Sequence, residues 1–171
     1  AEDDLMIEFR DGEIGDPEGK KKIQNAVMDT IKSVLDTNPE IIRDSKANFR
    51  YIRFTTQTLD ALVEKTRSGY ECDIKSGKIG FTLYVGPGEE STRQKILKIA
   101  ERNQTQTIFS EISSGKKWTQ IYRKDILTKN YIEQYKDNLE VLKKDIKAEI
   151  EGFFKTDMFQ INEIIASEYR S

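Results

Sequence analysis

Two alternating runs separated by two residues constrain this chain more than any other feature. Tyr70, Cys72 and Ile74 alternate with Glu71, Asp73 and Lys75. Ile79, Phe81, Leu83 and Val85 alternate with Lys78, Gly80, Thr82 and Tyr84. Between them stands Ser76-Gly77, a pair suited to a tight β-hairpin turn. A period of two puts the apolar set on one face and the charged set on the other. The apolar face must be covered, and the rest of the sequence supplies helices to cover it.

Asp16-Pro17-Glu18 reads as a helix start, with Asp16 as cap, Pro17 in the first turn and Glu18 near the positive end of the dipole. Ile23, Val27, Ile31, Val34 and Leu35 follow at helical spacing, and Asn38-Pro39 ends the run. A second helix is predicted over about residues 89–102, with Ile96, Leu97, Ile99 and Ala100 as its buried stripe. Further strands are predicted at residues 5–9, 49–56, 107–112 and 118–122, a loop or helical turn at 40–46, and a short turn at 59–62. From about residue 125 to 155 the pattern is helical again. Ile132, Tyr135, Leu139, Leu142, Ile146, Ile150 and Phe153 fall close to a heptad seam. A last short helix covers about residues 157–168. Hairpins dominate, so the expected fold is α+β: a small, mainly antiparallel sheet packed against helices, with a long C-terminal helix, in one domain over residues 1–171.

Composition narrows function mainly by exclusion. The 171 residues contain no histidine and one cysteine, Cys72. Histidine-based triads, histidine general bases and His-containing zinc sites are therefore ruled out, as is an internal disulfide. Lys and Arg total 28 against 30 Asp and Glu, a net charge of −2, so no global basic excess marks a polyanion binder. No apolar run spans a bilayer, and the acidic N-terminus, Ala1-Glu2-Asp3-Asp4, is unlike a secretory signal, so a cytoplasmic protein without membrane contact is expected.

Several local patterns bear on chemistry. Gly86-Pro87-Gly88 before a helix start has the outline of an anion cradle. However, Pro87 offers no N–H, Glu89 and Glu90 bring negative charge, and the Lys-Ser/Thr ending of a P-loop is missing. Asp73-Ile74-Lys75, with Asp60 and Glu71 as partners, matches the short half of a magnesium-dependent nuclease motif, in which carboxylates hold the metal and lysine orients water. Glu18-Gly19-Lys20 matches as well. In a chain that is 34% charged such matches arise by chance, and Lys75 lies at the hairpin tip. Lys116-Lys117 beside Trp118, with Arg53, Arg93 and Lys95, form candidate nucleic-acid contacts: cations for phosphates and an indole for base stacking. The competing reading buries Trp118 at a strand start. Leu139, Leu142 and Ile146 are candidate interface residues for a homodimer or a partner protein. They serve equally to pack the helix on its own sheet.

Arg53-Phe54-Thr55, Tyr70-Glu71-Cys72, the run from Gly77 to Gly88, Arg93-Gln94-Lys95-Ile96-Leu97 and Lys117-Trp118-Thr119-Gln120-Ile121-Tyr122 resemble the region after the catalytic core in large bacterial PD-(D/E)XK superfamily proteins. The resemblance covers residues 48–159. It implies a non-catalytic accessory domain, without cofactor, that contacts nucleic acid or a partner protein. The catalytic motif of that family is not present in full, so no catalytic residue carries over. Three readings stay open: a binding module, a divergent magnesium-dependent hydrolase using Asp60, Glu71, Asp73 and Lys75, and a structural or regulatory protein associating through its last helix.

Overall fold

A computed structural model describes residues 17–44, 51–62, 66–104, 108–109, 112 and 117–170. Helix α1 (Pro17–Asp36) leads into strands β1 (Ile41–Arg43) and β2 (Tyr51–Thr56), then helix α2 (Gln57–Leu62). Strands β3 (Gly69–Lys75) and β4 (Lys78–Val85) follow, then α3 (Glu90–Asn103), β5 (Thr119–Leu127), α4 (Lys129–Tyr135), α5 (Leu139–Lys155) and α6 (Asp157–Tyr169). The five strands form one antiparallel sheet in chain order, β1-β2-β3-β4-β5. The α+β reading holds, with α5 and α6 joined into a C-terminal helical run of 31 residues.

The β3–β4 hairpin closes on Ser76 and Gly77, with Lys75 opposite Lys78. Both turn residues have positive φ, 53° and 72°, which matches the twist of a two-residue hairpin and suits glycine at the second position. On the inner face, Cys72 lies opposite Phe81, Tyr70 opposite Leu83 and Ile74 opposite Ile79, all buried. Phe153 of α5 stacks on Phe81 at 4.0 Å and meets Tyr70 edge-on at 5.7 Å. Phe54 stacks on Tyr70 at 5.3 Å. A buried polar chain ties α6 to the sheet: the Tyr70 hydroxyl donates to Asn162 Oδ1, and Asn162 Nδ2 donates to Thr56 Oγ1. That pairing satisfies groups that would otherwise be costly to bury.

Four sequence expectations need correction. The segment at 40–46 holds a strand, β1, too short to show alternation. The helix expected from residue 125 starts later, because β5 runs to Leu127 opposite Ile79. It is also interrupted: Thr128 caps α4 by accepting from the Tyr131 N–H, and Asn138 caps α5 by accepting from the Val141 N–H. The heptad seam is used inside the chain. Leu142 and Ile146 are fully buried, Leu139 is partly buried, and α5 packs along α1, whose Ile23, Val27, Ile31, Val34 and Leu35 supply the facing stripe. Those seam residues therefore do not form a free interface. Finally, Ile108, Phe109 and Ile112 are not in a strand, while the strand expected at 5–9 lies outside the described residues.

Among the described residues no helix is long and apolar enough to cross a membrane. Cys72 is buried, and burial, followed by the neighbouring Asp73 charge, raises its thiol pKa well above the ordinary value.

Two measurements check this core. Phe153→Ala removes the ring that joins α5 to three strands and is expected to cost about 3–5 kcal/mol in guanidinium unfolding. A loss below about 1 kcal/mol would contradict the packing. Cys72 is expected to resist thiol reagents in the native state at about pH 8 and to react fully once the chain is unfolded.

Candidate functional site: the polar face of the sheet

The period of two that buries one face sends a second set of side chains to the other, where they form cross-strand rows. Arg53 of β2, Glu71 of β3, Thr82 of β4 and Arg123 of β5 are successive register partners. Beside them run Tyr51, Asp73, Gly80 and Asp125. On the other side Gly69 lies opposite Tyr84, and Tyr84 opposite Gln120.

Charge on this face is largely cancelled pairwise. Arg123 donates to both oxygens of Asp73 at 2.7 and 3.1 Å, to the Thr82 hydroxyl at 2.8 Å and to Asp125 at 3.0 Å. The Asp73 hydrogen bonds raise the Arg123 pKa against the opposing effect of burial. Gly80 makes room for this cluster: a Cβ there would sit 2.6 Å from Arg123 Nη2 and 2.7 Å from Asp125 Oδ1. Arg53 Nε donates to Glu71 at 3.1 Å, and its guanidinium lies over the rings of Tyr51 at 4.7 Å and Trp118 at 5.4 Å. Both distances are within cation–π range.

Where β2, β3 and β4 meet the residues before β3 and β5, the face deepens into a groove of about 640 Å³. Gly69, Thr55, Tyr84 and Trp118 line it, together with three basic residues, Arg43, Arg53 and Arg67, and three acidic ones, Asp44, Asp60 and Glu71. Gly69 contributes no side chain, and a Cβ there would approach the Phe54 carbonyl oxygen to 2.9 Å. The Thr55 hydroxyl oxygen is buried with no hydrogen-bond partner. Burial, then the carboxylates of Glu71 and Asp73, raise the Tyr84 phenol above its ordinary pKa, so near neutrality it is a protonated donor. Trp118 is 36% exposed and meets Tyr84 edge-to-face at 6.2 Å. Arg67 donates its backbone N–H to the Pro87 carbonyl, while its side chain forms no ion pair among the described residues.

Trp118 is held by what lies beneath it. A Cβ on Gly86 would fall 2.6 Å from Trp118 Cζ3 and 2.7 Å from the Arg67 carbonyl oxygen, so glycine is required for both to close on this point. Arg93, on the first turns of α3, donates from Nη1 to the carbonyls of Val85, Gly86 and Lys117 at 3.0, 2.6 and 3.0 Å. It thereby locks the end of β4 to the segment leading into β5.

The sequence-derived candidates are thus divided. Arg53 and Trp118 meet at the groove. Arg93 is 7% exposed and turned inward onto carbonyls, so it is a structural clamp and not a surface cation. Lys95 lies elsewhere, its ammonium over Tyr169 at 4.3 Å, in a depression shared with Lys98, Arg102 and Glu168. Lys117 is exposed next to Trp118, and Lys116 lies outside the described residues. Asp60 and Glu71 line the groove, Asp73 is engaged by Arg123, and Lys75 stands at the hairpin end. The hydrolase constellation does not assemble: among the described residues no three acidic or cysteine side chains converge as a metal site. Tyr51, Arg67 and Arg123 were missed by sequence reasoning. The register of the polar face would have found the first and last, whereas Arg67, in a loop, carries no periodic signal.

Comparison with protein-family models, with curated proteins and with solved structures gives no match for this chain.

Replacing Arg93 with Met leaves buried carbonyls without a donor. The expected cost is about 1–3 kcal/mol in stability, with a red shift of the single indole's emission as Trp118 loosens. Unchanged stability and emission would remove Arg93 as the clamp.

Proposed function

We propose that this chain is a non-catalytic binding domain for single-stranded nucleic acid, with a base against Trp118 and a phosphate at Arg67. The observation that carries the reading is the pairing, at one groove wall, of a rigidly seated, partly exposed indole with an arginine that forms no ion pair among the described residues. Aromatic side chains stack on any base, and an arginine fork matches phosphate oxygens. Tyr84 and Tyr51 extend the aromatic surface. The resemblance of residues 48–159 to the post-catalytic region of bacterial PD-(D/E)XK proteins is compatible with this role, since it implies a non-catalytic accessory domain that contacts nucleic acid or a partner protein. The divergent-hydrolase reading has no comparable support, because its carboxylates are paired with Arg53 and Arg123 or stand apart.

The chain holds one tryptophan, so its fluorescence reports directly on the groove. Titration with a mixed-sequence single-stranded oligonucleotide at low salt is expected to quench that emission saturably. In anisotropy measurements, Trp118→Ala and Arg67→Ala are each expected to weaken binding at least about fivefold, the lower end of what one stacked base contributes. Absence of both quenching and an anisotropy change at low salt would overturn the proposal.

A further inference from the structure

Resting on that reading, we infer that the bound strand runs along β3 over the length of the polar face, from Trp118 to a second phosphate contact made by Lys75 and Lys78 at the tip of the β3–β4 hairpin. The two lysines are direct register partners. Alternation puts them on the same face as Glu71, Asp73, Gly80 and Thr82. Both are exposed, and neither forms an ion pair among the described residues. Like charges directly opposite each other on a sheet are destabilising. The tight turn at Ser76 and Gly77 fixes the two backbones in this register, so a slip cannot relieve the repulsion. An anion held between the two ammonium groups turns that repulsion into attraction.

The opposite end of the face carries Arg67, exposed and without an ion pair among the described residues, and exposed Lys117. Between the two ends, Arg53 and Arg123 are set against Glu71, Asp73 and Asp125, so the middle has no cation to spare. Phosphates are therefore gripped at the ends, while the middle offers flat groups to bases. The Arg53 guanidinium lies over both Trp118 and Tyr51, so indole, guanidinium and phenol follow one another along the face. Gly80 carries no side chain, which leaves room for Arg123 to lie across β4. Bases stack on guanidinium planes as they do on aromatic rings. Gly69, opposite Tyr84 at the Trp118 end, and Lys75 are the first and last residues of β3. At the antiparallel rise of ~3.4 Å per residue they stand about 20 Å apart. A strand at the stacked rise of ~3.4 Å per nucleotide covers that distance with about six nucleotides, and a drawn-out strand with fewer.

The test is anisotropy with labelled single strands of mixed sequence, from about two to about twelve nucleotides long, read beside the quenching of Trp118. Affinity is expected to rise with length to about six nucleotides, and beyond that only by the statistical gain of added sites. Lys75→Gln combined with Lys78→Gln is expected to bind a strand of about eight nucleotides at least about fivefold more weakly at low salt, with a log–log salt slope smaller by about 1.4, the share of two phosphates. The same double variant is expected to leave dinucleotide affinity and the depth of the quench unchanged, and to melt no lower than the parent, since it removes a repulsion. Lys144→Gln combined with Lys147→Gln removes the same charge from exposed positions of α5, which packs on the other face of the sheet. That control is expected to change affinity less than about twofold, because its lysines are screened from the bound strand. Affinity independent of length, an unchanged salt slope in the Lys75 and Lys78 variant, or an equal loss in the Lys144 and Lys147 variant overturns the inference and leaves the single-strand reading at Trp118 standing. No binding of any strand overturns both.

Discussion

One buried guanidinium holds the site together. Arg93 sits where β4 ends, α3 begins and the chain returns toward β5, and it draws carbonyls from two of these segments onto one nitrogen. Burying a cation costs several kcal/mol unless acceptors replace its water. Here the acceptors are three backbone oxygens and the Thr119 hydroxyl, with the Glu90 carboxylate as counter-charge at 3.6 Å. The consequence reaches the surface: with Val85, Gly86 and Lys117 fixed, Trp118 has one place to lie, over a glycine that lets it and Arg67 approach together. Replacing Gly86 by any larger residue would force the indole and the Arg67 backbone away from this point by direct collision with both.

The two faces of the sheet then divide the work. The inner face is fixed by ring packing around Phe153 and by the Tyr70–Asn162–Thr56 chain, and it sets the strand register. A register slip of one residue would send Arg53, Glu71 and Arg123 into the core, which the apolar set opposes strongly. The polar face inherits its geometry from that register. Its rows of facing charges are consequences of the hairpin pattern, and the glycine at position 80 leaves the space in which Arg123 lies down across β4.

Much of this was legible in the sequence where periodicity was long. The β3–β4 hairpin, α1 and α3 follow from alternation or from helical spacing over many residues. Strand β1 has only three residues, and β5 ends in Lys124-Asp125-Ile126-Leu127, where no alternation distinguishes a strand from a helix start. The seam of α5 was visible, but its partner was not, because a stripe does not say whether the complementary stripe belongs to the same chain. Arg93 was read with Lys95 as a surface cation. Its spacing told otherwise: it stands three residues before Ile96 and seven before Ala100, on the buried stripe of α3. Arg53 and Trp118, grouped as candidates with Arg93, Lys95 and two lysines, are the pair of that set that meets, because the fold brings the segment preceding β5 over β2.

The balance of charge around the groove explains why composition gave no clue. With a net charge of −2 the chain has no strong field to gather a polyanion, and on the polar face Arg53 and Arg123 are committed to Glu71, Asp73 and Asp125. Paired charges in water-facing positions contribute little to long-range attraction. On the reading proposed above, recognition on such a surface comes from shape and short-range contact: an indole seated against Gly86, a protonated phenol beside it, and a guanidinium that forms no ion pair among the described residues.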